Sequence, residues 1–138
     1  MNEKSIPSGS TVLEHWREEL SVSLIRVFGK KRGSKYLDLY NEAFPLGFER
    51  NFSPSKAAQD IRNIEKLREV PGIAVNLYRD SSRGITEFRL RLYHVGAPVA
   101  LSDILPVLEN MGLRVIEEVP YNIRAQDPLD PVWLHDFG

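Results

Sequence analysis

The chain has 138 residues, of which 42% are hydrophobic and 27% charged, and this size and composition are ordinary for one globular domain. Its formal net charge of -1 argues against a general affinity for nucleic acid or anionic membrane, because both partners select basic surfaces. The absence of cysteine excludes disulfides, thiolate metal sites and thiol catalysis, and makes a reducing cytosol the expected compartment.

The beginning of the chain is polar. Residues 1–10 contain no apolar stretch of the kind that a secretory signal needs, and we expect them to form a disordered leader. No later apolar run approaches the roughly 18 residues that would suggest a membrane span. The sequence therefore predicts a soluble, cytoplasmic protein.

Two helices are predicted next. Thr11 has capping-box spacing to Glu14, and apolar residues at helical spacing then predict a helix to about Phe28. A run rich in glycine and lysine is expected to separate this helix from a short second one, which Pro45 closes. We assign residues 11–52 to an accessory helical segment.

A third helix and a β-hairpin follow. Ser53-Pro54 predicts the start of the helix, because a hydroxyl at the N-cap precedes a proline whose missing N–H is not needed there, and Pro71-Gly72 predicts its end. Apolar and polar residues then alternate around a turn at 80–84, which predicts a hairpin with one apolar and one solvated face. The predicted apolar face comprises Ile73, Val75, Leu77, Phe88, Leu90 and Leu92.

The last part of the chain adds another helix and two strands. Ser102 is predicted to cap a helix that Gly112 ends, and strands are predicted from Leu113 and over 132–137. This order suits an antiparallel sheet with helices on one face, so we predict an α+β, ferredoxin-like fold for residues 53–138. The two halves of that fold resemble each other in structure. A chain can therefore begin with the first helix of the fold instead of its first strand, as a circular permutation. The last strand would then fill the place usually held by the first.

Motifs for cofactor and metal chemistry are missing from the sequence. No G-x-G-x-x-G follows a strand, and no P-loop pattern occurs. His15, His94 and His135 lack metal-ligand spacing to one another. His135 and Asp136 are adjacent in a predicted strand, so their side chains should point to opposite faces and not pair. We therefore predict no catalytic, cofactor-binding or metal-binding residues.

Two nucleic-acid or phosphate interpretations are weaker than their structural alternatives. A basic cluster between the first two helices suits a phosphate, but a solvated loop explains it more simply. The cluster consists of Lys30, Lys31, Arg32 and Lys35. Arg83-Gly84 before a strand faintly resembles an RNA-recognition motif, yet Glu87 stands where a stacking aromatic is expected. We accordingly expect no nucleic-acid partner.

The connection from the hairpin to the next helix is the best candidate for a binding site. It leads into a helix N-terminus, whose N–H groups can receive a carboxylate or a phosphate. An ordinary strand-to-helix connection is the simpler alternative. The candidate ligand or interface residues are Gly96, Ala97, Pro98, Ser102 and Asp103.

Three stretches carry a resemblance to a known family. They are Pro98-Val-Ala-Leu-Ser-Asp-Ile-Leu-Pro-Val-Leu-Glu-Asn-Met-Gly-Leu-Arg-Val115, Val132-Trp-Leu-His-Asp-Phe137, and Tyr40-Asn-Glu-Ala-Phe-Pro45 with the following Phe52-Ser-Pro54, Ala57, Asp60-Ile61 and Ile64-Glu65. In order and spacing they resemble a segment of the large bacterial NAD-specific glutamate dehydrogenases. Phe48-Glu49-Arg50 departs locally from the Tyr-Arg-Glu of that family.

The resemblance implies a role as one part of a long chain. In that family, ACT-like domains of regulatory appearance precede the catalytic region, and the matched segment belongs to the ACT-like part. The family's catalytic lysine and dinucleotide-binding glycines lie beyond the end of this sequence. The parent chain is thus expected to oxidise glutamate to 2-oxoglutarate and ammonia with NAD, while this segment takes no part in the chemistry.

Two functional hypotheses follow from the resemblance. The first is a non-catalytic ACT-like module for assembly or allosteric control, whose partners are other domains of the parent chain, a second copy, or an amino-acid effector. The second is a free-standing amino-acid sensor with the same fold. ACT domains often pair edge to edge or through helices, and some bind amino acids at the strand-to-helix loop, which corresponds here to residues 96–103.

Overall fold

A computed structural model describes residues 9–70, 72–80, 87–126 and 129–138. The helices in these ranges are α1 (Gly9–Phe28), α2 (Lys30–Tyr40), α3 (Phe48–Asn51), α4 (Pro54–Glu69) and α5 (Leu101–Asn110). The strands are β1 (Ile73–Asp80), β2 (Glu87–Val95), β3 (Glu118–Ile123) and β4 (Val132–Phe137). Most of the predicted leader and of the predicted hairpin turn lies outside the described residues. The chain divides into two compact units, residues 1–62 and 63–138.

In the first unit, α1 and α2 approach closely at Gly33. A Cβ at Gly33 would lie 2.9 Å from backbone atoms of Leu24 and Ile25, so only glycine fits without a shift of one helix. The break between the helices is Gly29, with a φ of +86°. Residues 30–33, which were expected to form a loop, are instead the first turn of α2. Lysine and arginine are good helix formers, so the helix resumes directly after the glycine.

An aromatic cluster forms another part of the first unit. The Trp16 ring lies edge-on to Phe44 and Phe48, with centroid distances of 5.8 and 6.3 Å, and its Nε1 donates to the Phe52 carbonyl at 2.9 Å. The sequence placed Phe44 on the second helix, but α2 ends at Tyr40 and Phe44 lies in the turn that precedes α3. Packing against Trp16 therefore overrides the helical spacing.

The start of α4 confirms the sequence prediction. Ser53 Oγ accepts a hydrogen bond from the Lys56 N–H at 3.1 Å, and Pro54 is the first helical residue. The hydroxyl thus satisfies one of the N–H groups that every helix leaves unpaired in its first turn.

The four strands form one antiparallel sheet in the order β1-β2-β4-β3. The α+β class and the antiparallel sheet are confirmed. β4, the last strand along the chain, lies in the interior of the sheet between β2 and β3. This is the permuted arrangement that the sequence predicted.

Within the second unit, α5 and the part of α4 from Asn63 onward contact opposite faces of the sheet, which differs from the expected single helical face. Leu108 of α5 packs against Leu90 and Leu92. Asn63 of α4 donates from Nδ2 to the Tyr93 hydroxyl at 3.3 Å, and Tyr93 points away from the Leu92 face. The order of elements along the chain does not decide this, because the contact of Asn63 with Tyr93 depends on tertiary packing.

Burial also differs from the predicted apolar and solvated faces. Leu92 is 1% exposed, but Val75, its partner in the register, is 58% exposed. On the face expected to be solvated, Arg89, Arg91 and Tyr93 are buried. The hairpin is thus covered by α5 on one half of its apolar face only, while its polar face is closed by helix contact and by charge pairing.

β3 begins later than predicted. The sequence suggested a start at Leu113, but the strand spans Glu118–Ile123. Pro120 is tolerated inside it because β3 is an edge strand, where a missing N–H can face solvent. Ahead of the strand, the N–H of Ile116 donates to the Gly138 carbonyl at 2.7 Å.

Candidate functional site

The predicted ligand loop, residues 96–103, is anchored where it leaves β2. The Gly96 N–H donates to the Pro131 carbonyl at 2.8 Å. His94 Nδ1 lies 2.6 Å from the Ala97 carbonyl, and because a carbonyl can only accept, this nitrogen carries the proton. Gly96 has a φ of +88°, a conformation that favours glycine.

The beginning of α5 differs from the sequence prediction. Ser102 was expected to be the N-cap, but the N-cap is Ala100, which makes no side-chain capping hydrogen bond. Its carbonyl accepts from the Asp103 N–H at 3.0 Å. Ser102 and Asp103 are exposed in the first turn, as Gly96, Ala97 and Pro98 are in the connection before it. The Asp103 carboxylate already complements the helix N-terminus, which weakens that end as a site for an anionic ligand.

The buried side chain of His135 holds the middle of this loop. Its Nε2 accepts the Val99 N–H at 3.1 Å, so the ring proton is on Nδ1, which lies 2.8 Å from Glu118 Oε2 and donates to it. His135 therefore joins β4, β3 and the loop. From the sequence, His135 was interpreted only as part of a strand end, because neither Val99 nor Glu118 is near it along the chain.

Asp136 is the centre of a charged cluster on the opposite face. Its Oδ2 accepts from the Tyr78 hydroxyl at 2.7 Å and its Oδ1 from Arg89 Nε at 2.7 Å. Arg91 Nε lies 3.4 Å from the same carboxylate, and Arg89 Nη1 donates to Glu117 Oε1 at 2.9 Å. The two guanidinium groups thus face two carboxylates, and the cluster is electrically balanced. His135 and Asp136 do point to opposite faces, as the sequence predicted.

Two members of this cluster, Tyr78 and Arg89, have pKa values shifted by their surroundings. Burial, together with the hydrogen bond to Asp136, raises the pKa of Tyr78. Burial by itself lowers the pKa of Arg89, but hydrogen bonds to Asp136 and Glu117 outweigh it, and the net pKa is raised. Tyr78 therefore stays neutral and Arg89 stays cationic near neutral pH. Groups held so far from the working pH are poor general acids or bases, so the cluster suits a structural role.

A cavity of about 400 Å³ opens at the end of the sheet where β1 begins and β2 ends. Its size falls within the range of small-molecule sites. Side chains of α4, β2 and the segment before β4 line it: Leu67, Arg68, His94, Val95, Leu129 and Asp130. Sequence reasoning missed this cavity because no local pattern links these residues, which only the register of the sheet brings together.

Within residues 9–70, 72–80, 87–126 and 129–138, no group of three or more His, Asp or Glu side chains could hold a metal ion. In the same ranges, no helix has both the length and the apolar character needed to cross a membrane.

Comparison with protein families gives two matches along the chain. Residues 72–138 match the family model described as glutamate dehydrogenase, ACT3 domain. Residues 23–67 match the model described as glutamate dehydrogenase, helical motif 2. The two matched ranges cover most of the elements of the fold.

Individual relatives carry the same description. The chain is 38% identical over 124 residues to an NAD-specific glutamate dehydrogenase of Halomonas elongata, and 34% identical over 123 residues to one of Pseudomonas aeruginosa. These alignments cover 90% and 89% of the chain but only 8% of each relative. A Mycobacterium tuberculosis protein of the same name is 33% identical over 98 residues, 71% of the chain and 6% of that protein.

Proposed function

The chain belongs to the glutamate dehydrogenase family, and on that premise we propose that it is a non-catalytic ACT-like module for assembly or allosteric control of an NAD-dependent glutamate dehydrogenase. The parent chain converts glutamate and NAD to 2-oxoglutarate, ammonia and NADH, in the cytoplasm. NAD binding and the chemical step are assigned to parts of that chain outside this segment.

A half-exposed apolar stripe on the sheet is the observation that carries this proposal. Its residues are Ile73, Val75, Leu77 and Phe88, which are 50%, 58%, 56% and 61% exposed. We call them the β1 stripe. They share a sheet face with the buried Leu90 and Leu92, and β1 is an edge strand. Contiguous apolar surface beside an unpaired strand edge is typical of a surface that packs against a partner.

We propose that the β1 stripe packs against another domain of the parent chain. The chain spans about 8% of the length of the curated relatives it matches, so such a chain has ample further sequence to supply the partner. The stripe also continues the apolar surface that α5 covers over β2 and β4, so one added layer completes the core. A second copy of the chain is the alternative occupant and would make a homo-oligomer.

A pair of surface variants tests the proposal in the parent enzyme. Val75→Glu places a charge in the stripe, and Ile116→Glu places the same charge at a site that is 84% exposed and outside the stripe. We expect Val75→Glu to weaken the assembled enzyme and its NAD-dependent glutamate oxidation, and Ile116→Glu to leave both unchanged. Equal behaviour of the two variants would contradict the proposal.

Sedimentation of the 138-residue chain distinguishes the two proposed partners of the β1 stripe, a domain of the parent chain and a second copy. A monomer that Val75→Glu leaves unchanged supports a domain of the parent chain. A dimer that Val75→Glu dissociates assigns the stripe to a second copy instead.

The second candidate function, a free-standing amino-acid sensor, is favoured by the cavity at the end of β2. A sensor of this kind binds a small amino acid saturably without any other domain. Calorimetric titration of the isolated chain with the common amino acids tests it, and an absence of heat from correctly folded protein would count against it.

A further inference from the structure

A small apolar pocket lies at the end of the sheet where β1 and β4 end and β2 begins. Its volume is about 50 Å³. The side chains that line it come from three strands, α5 and the segment after α5, and they include Leu77, Phe88, Leu108, Leu113, Val115 and Phe137. Because Leu77 and Phe88 belong to the β1 stripe, the pocket and the stripe form one continuous apolar surface.

The size of the pocket selects the kind of group that can fill it. A single water needs roughly 10–15 Å³ of such space, and small-molecule sites occupy roughly 300–1,000 Å³. The pocket lies between these limits, and its lining is mostly aliphatic and aromatic. It therefore suits one apolar side chain of another polypeptide segment better than a free metabolite or a cluster of water.

The wall behind α5 is held at both of its ends. The Leu113 N–H donates to the Leu108 carbonyl at 3.0 Å, and the Ile116 N–H donates to the Gly138 carbonyl at 2.7 Å. The Gly138 N–H in turn donates to the Glu117 carbonyl at 3.0 Å. A wall that is already ordered loses little conformational entropy when a partner packs against it.

The rim of the pocket is positively charged. Arg114 is exposed and lines the pocket, and Arg79 is exposed with its guanidinium carbon 5.5 Å from the centre of the Phe88 ring. Within the part of the chain that the structure describes, no ion pair involves either of these arginines. Arg89 and Glu117 at the same end pair with each other at 2.9 Å. The charge that remains for a partner is therefore that of Arg79 and Arg114.

We propose that the pocket receives one bulky apolar side chain from an amphipathic segment of another domain of the parent chain, and that carboxylates flanking this side chain meet Arg79 and Arg114. The inference rests on the proposed assembly role of the β1 stripe and specifies the chemistry of the partner. An apolar anchor in a pocket, surrounded by a polar rim, is the common arrangement of protein interfaces.

The charge of the rim also favours another domain over a second copy. A twofold interface between two copies uses the same surface on both, so it brings two sets of Arg79 and Arg114 into one interface. Like charges opposed in this way weaken association, whereas an acidic segment is attracted by them. The chain spans about 8% of the length of its curated relatives, so a parent chain has ample sequence to supply such a segment.

Two glutamate variants test the pocket in the purified parent enzyme. Leu113→Glu places a carboxylate in the pocket wall, outside the β1 stripe, and Ile116→Glu places one three positions later at a side chain that is 84% exposed. We expect amide hydrogen exchange in residues 73–79 to accelerate at least about tenfold in Leu113→Glu, because a charged wall excludes an apolar anchor. Ile116→Glu should exchange as the unaltered enzyme does, and circular dichroism checks that both variants fold.

Charge reversal tests the rim. Arg79→Glu and Arg114→Glu should each accelerate the same exchange at least about threefold, and the difference from the unaltered enzyme should shrink at high salt. Arg124→Glu changes an exposed arginine just after β3 and is the matched control. If all three variants behave alike at every salt concentration, the rim does not select an acidic partner.

Photocrosslinking identifies the segment without altering the charge of the pocket. A diazirine-bearing aliphatic residue at position 113 is photolysed in the parent enzyme, and mass spectrometry locates the attached peptide. We expect a peptide from outside these 138 residues that has a large apolar residue and an Asp or Glu within about one helical turn of it. Changing that acid to lysine should restore slow exchange in Arg114→Glu.

The outcomes separate this inference from the proposal on which it rests. If Val75→Glu weakens the assembled enzyme but Leu113→Glu behaves as Ile116→Glu does, the stripe is an interface and the pocket holds no anchor, so only this inference is wrong. A crosslinked peptide without carboxylates, or one from a second copy of these 138 residues, likewise overturns it. If neither Val75→Glu nor Leu113→Glu changes the enzyme, the assembly role of the stripe is overturned as well.

Discussion

Arg91 and Leu92 are neighbours in β2, and both are buried, but on opposite faces of the sheet. The Leu92 face is mainly apolar, is covered by α5 over β2 and β4, and is left open over β1. The Arg91 face carries a charged cluster in which Arg89, Arg91 and Asp136 are buried and Glu117 lies at the exposed rim. The face that sequence patterning would place outside is thus the complete one, and the face it would place inside is unfinished.

The two faces of this small sheet are thus stabilised by different interactions, one by charge pairing and the other by apolar contacts. Burial of charge is tolerated on the Arg91 face only because each carboxylate meets a guanidinium, so that cluster is intolerant of single changes. Aliphatic contacts on the other face are independent of one another and can be extended by adding surface. The first arrangement specifies the fold, and the second leaves room for a partner.

Removal of the Asp136 carboxylate should have the largest effect. Asp136→Ala leaves Arg89 and Arg91 buried without their shared anion, so we expect a loss of about 3–5 kcal/mol in the free energy of unfolding. Urea denaturation measures it. Asp103→Ala, which removes an exposed carboxylate, is the control, and a similar small loss in both variants would show that the charged face is not specified by pairing.

Leu92 and Val75 are partners in the sheet register, but α5 covers only Leu92. Substitutions at the two positions should therefore change the free energy of unfolding by different amounts. Leu92→Ala should lower the free energy of unfolding by about 3 kcal/mol, because it leaves a cavity under α5. Val75→Thr keeps a β-branched side chain at its exposed partner and should change stability by no more than about 0.5 kcal/mol. Thermal and chemical denaturation of both variants check this, and equal losses would mean that the β1 stripe is already covered.

The two histidines that bind the loop offer a finer comparison. His135→Leu removes the buried acceptor of the Val99 N–H and should lower stability by about 1–3 kcal/mol. His94→Leu removes a more exposed contact to the Ala97 carbonyl and should cost less than about 1 kcal/mol. Amide hydrogen exchange at Val99 should accelerate only in the first variant. Unchanged exchange there would place the anchor of the loop elsewhere.

The smallest effect concerns the hydroxyl of Tyr78. Tyr78→Phe removes its hydrogen bond to Asp136 and should lower stability by about 1 kcal/mol at neutral pH. Because the pKa of Tyr78 is raised on folding, its contribution is full below the unfolded value near 10 and is lost as pH rises above it. Stability should therefore fall less steeply above about pH 10 in the variant. Parallel curves for the two proteins would contradict this account.

Local chemistry made much of the fold predictable. The Ser53-Pro54 start of α4, the β1–β2 hairpin and the interior place of β4 all follow from capping, alternation and the order of elements. The face of the sheet that α4 contacts did not follow, because the contact of Asn63 with Tyr93 depends on tertiary packing alone. Alternation likewise showed which residues share a face but not whether a helix covers that face.

The candidate site was less predictable than the fold. The sequence pointed to residues 96–103 because a strand-to-helix turn is visible locally. Neither His135 beneath that loop nor the cavity lined by Arg68 and Asp130 has a local signature, since the residues that each brings together are far apart along the chain. An electrically balanced cluster such as that around Asp136 also leaves no trace in net charge.

The interior position of β4 has a consequence for how the sheet is made. The β1–β2 hairpin joins neighbouring segments and can form as soon as both have been synthesised, but β3 has no strand beside it until β4 arrives. Of these four strands, the one that comes last in the sequence is therefore the one that joins the two halves. Until then, the hairpin and β3 each present edges that can pair with other chains. Removing this one strand would divide the sheet into two pieces, whereas loss of β1 or β3 would only narrow it.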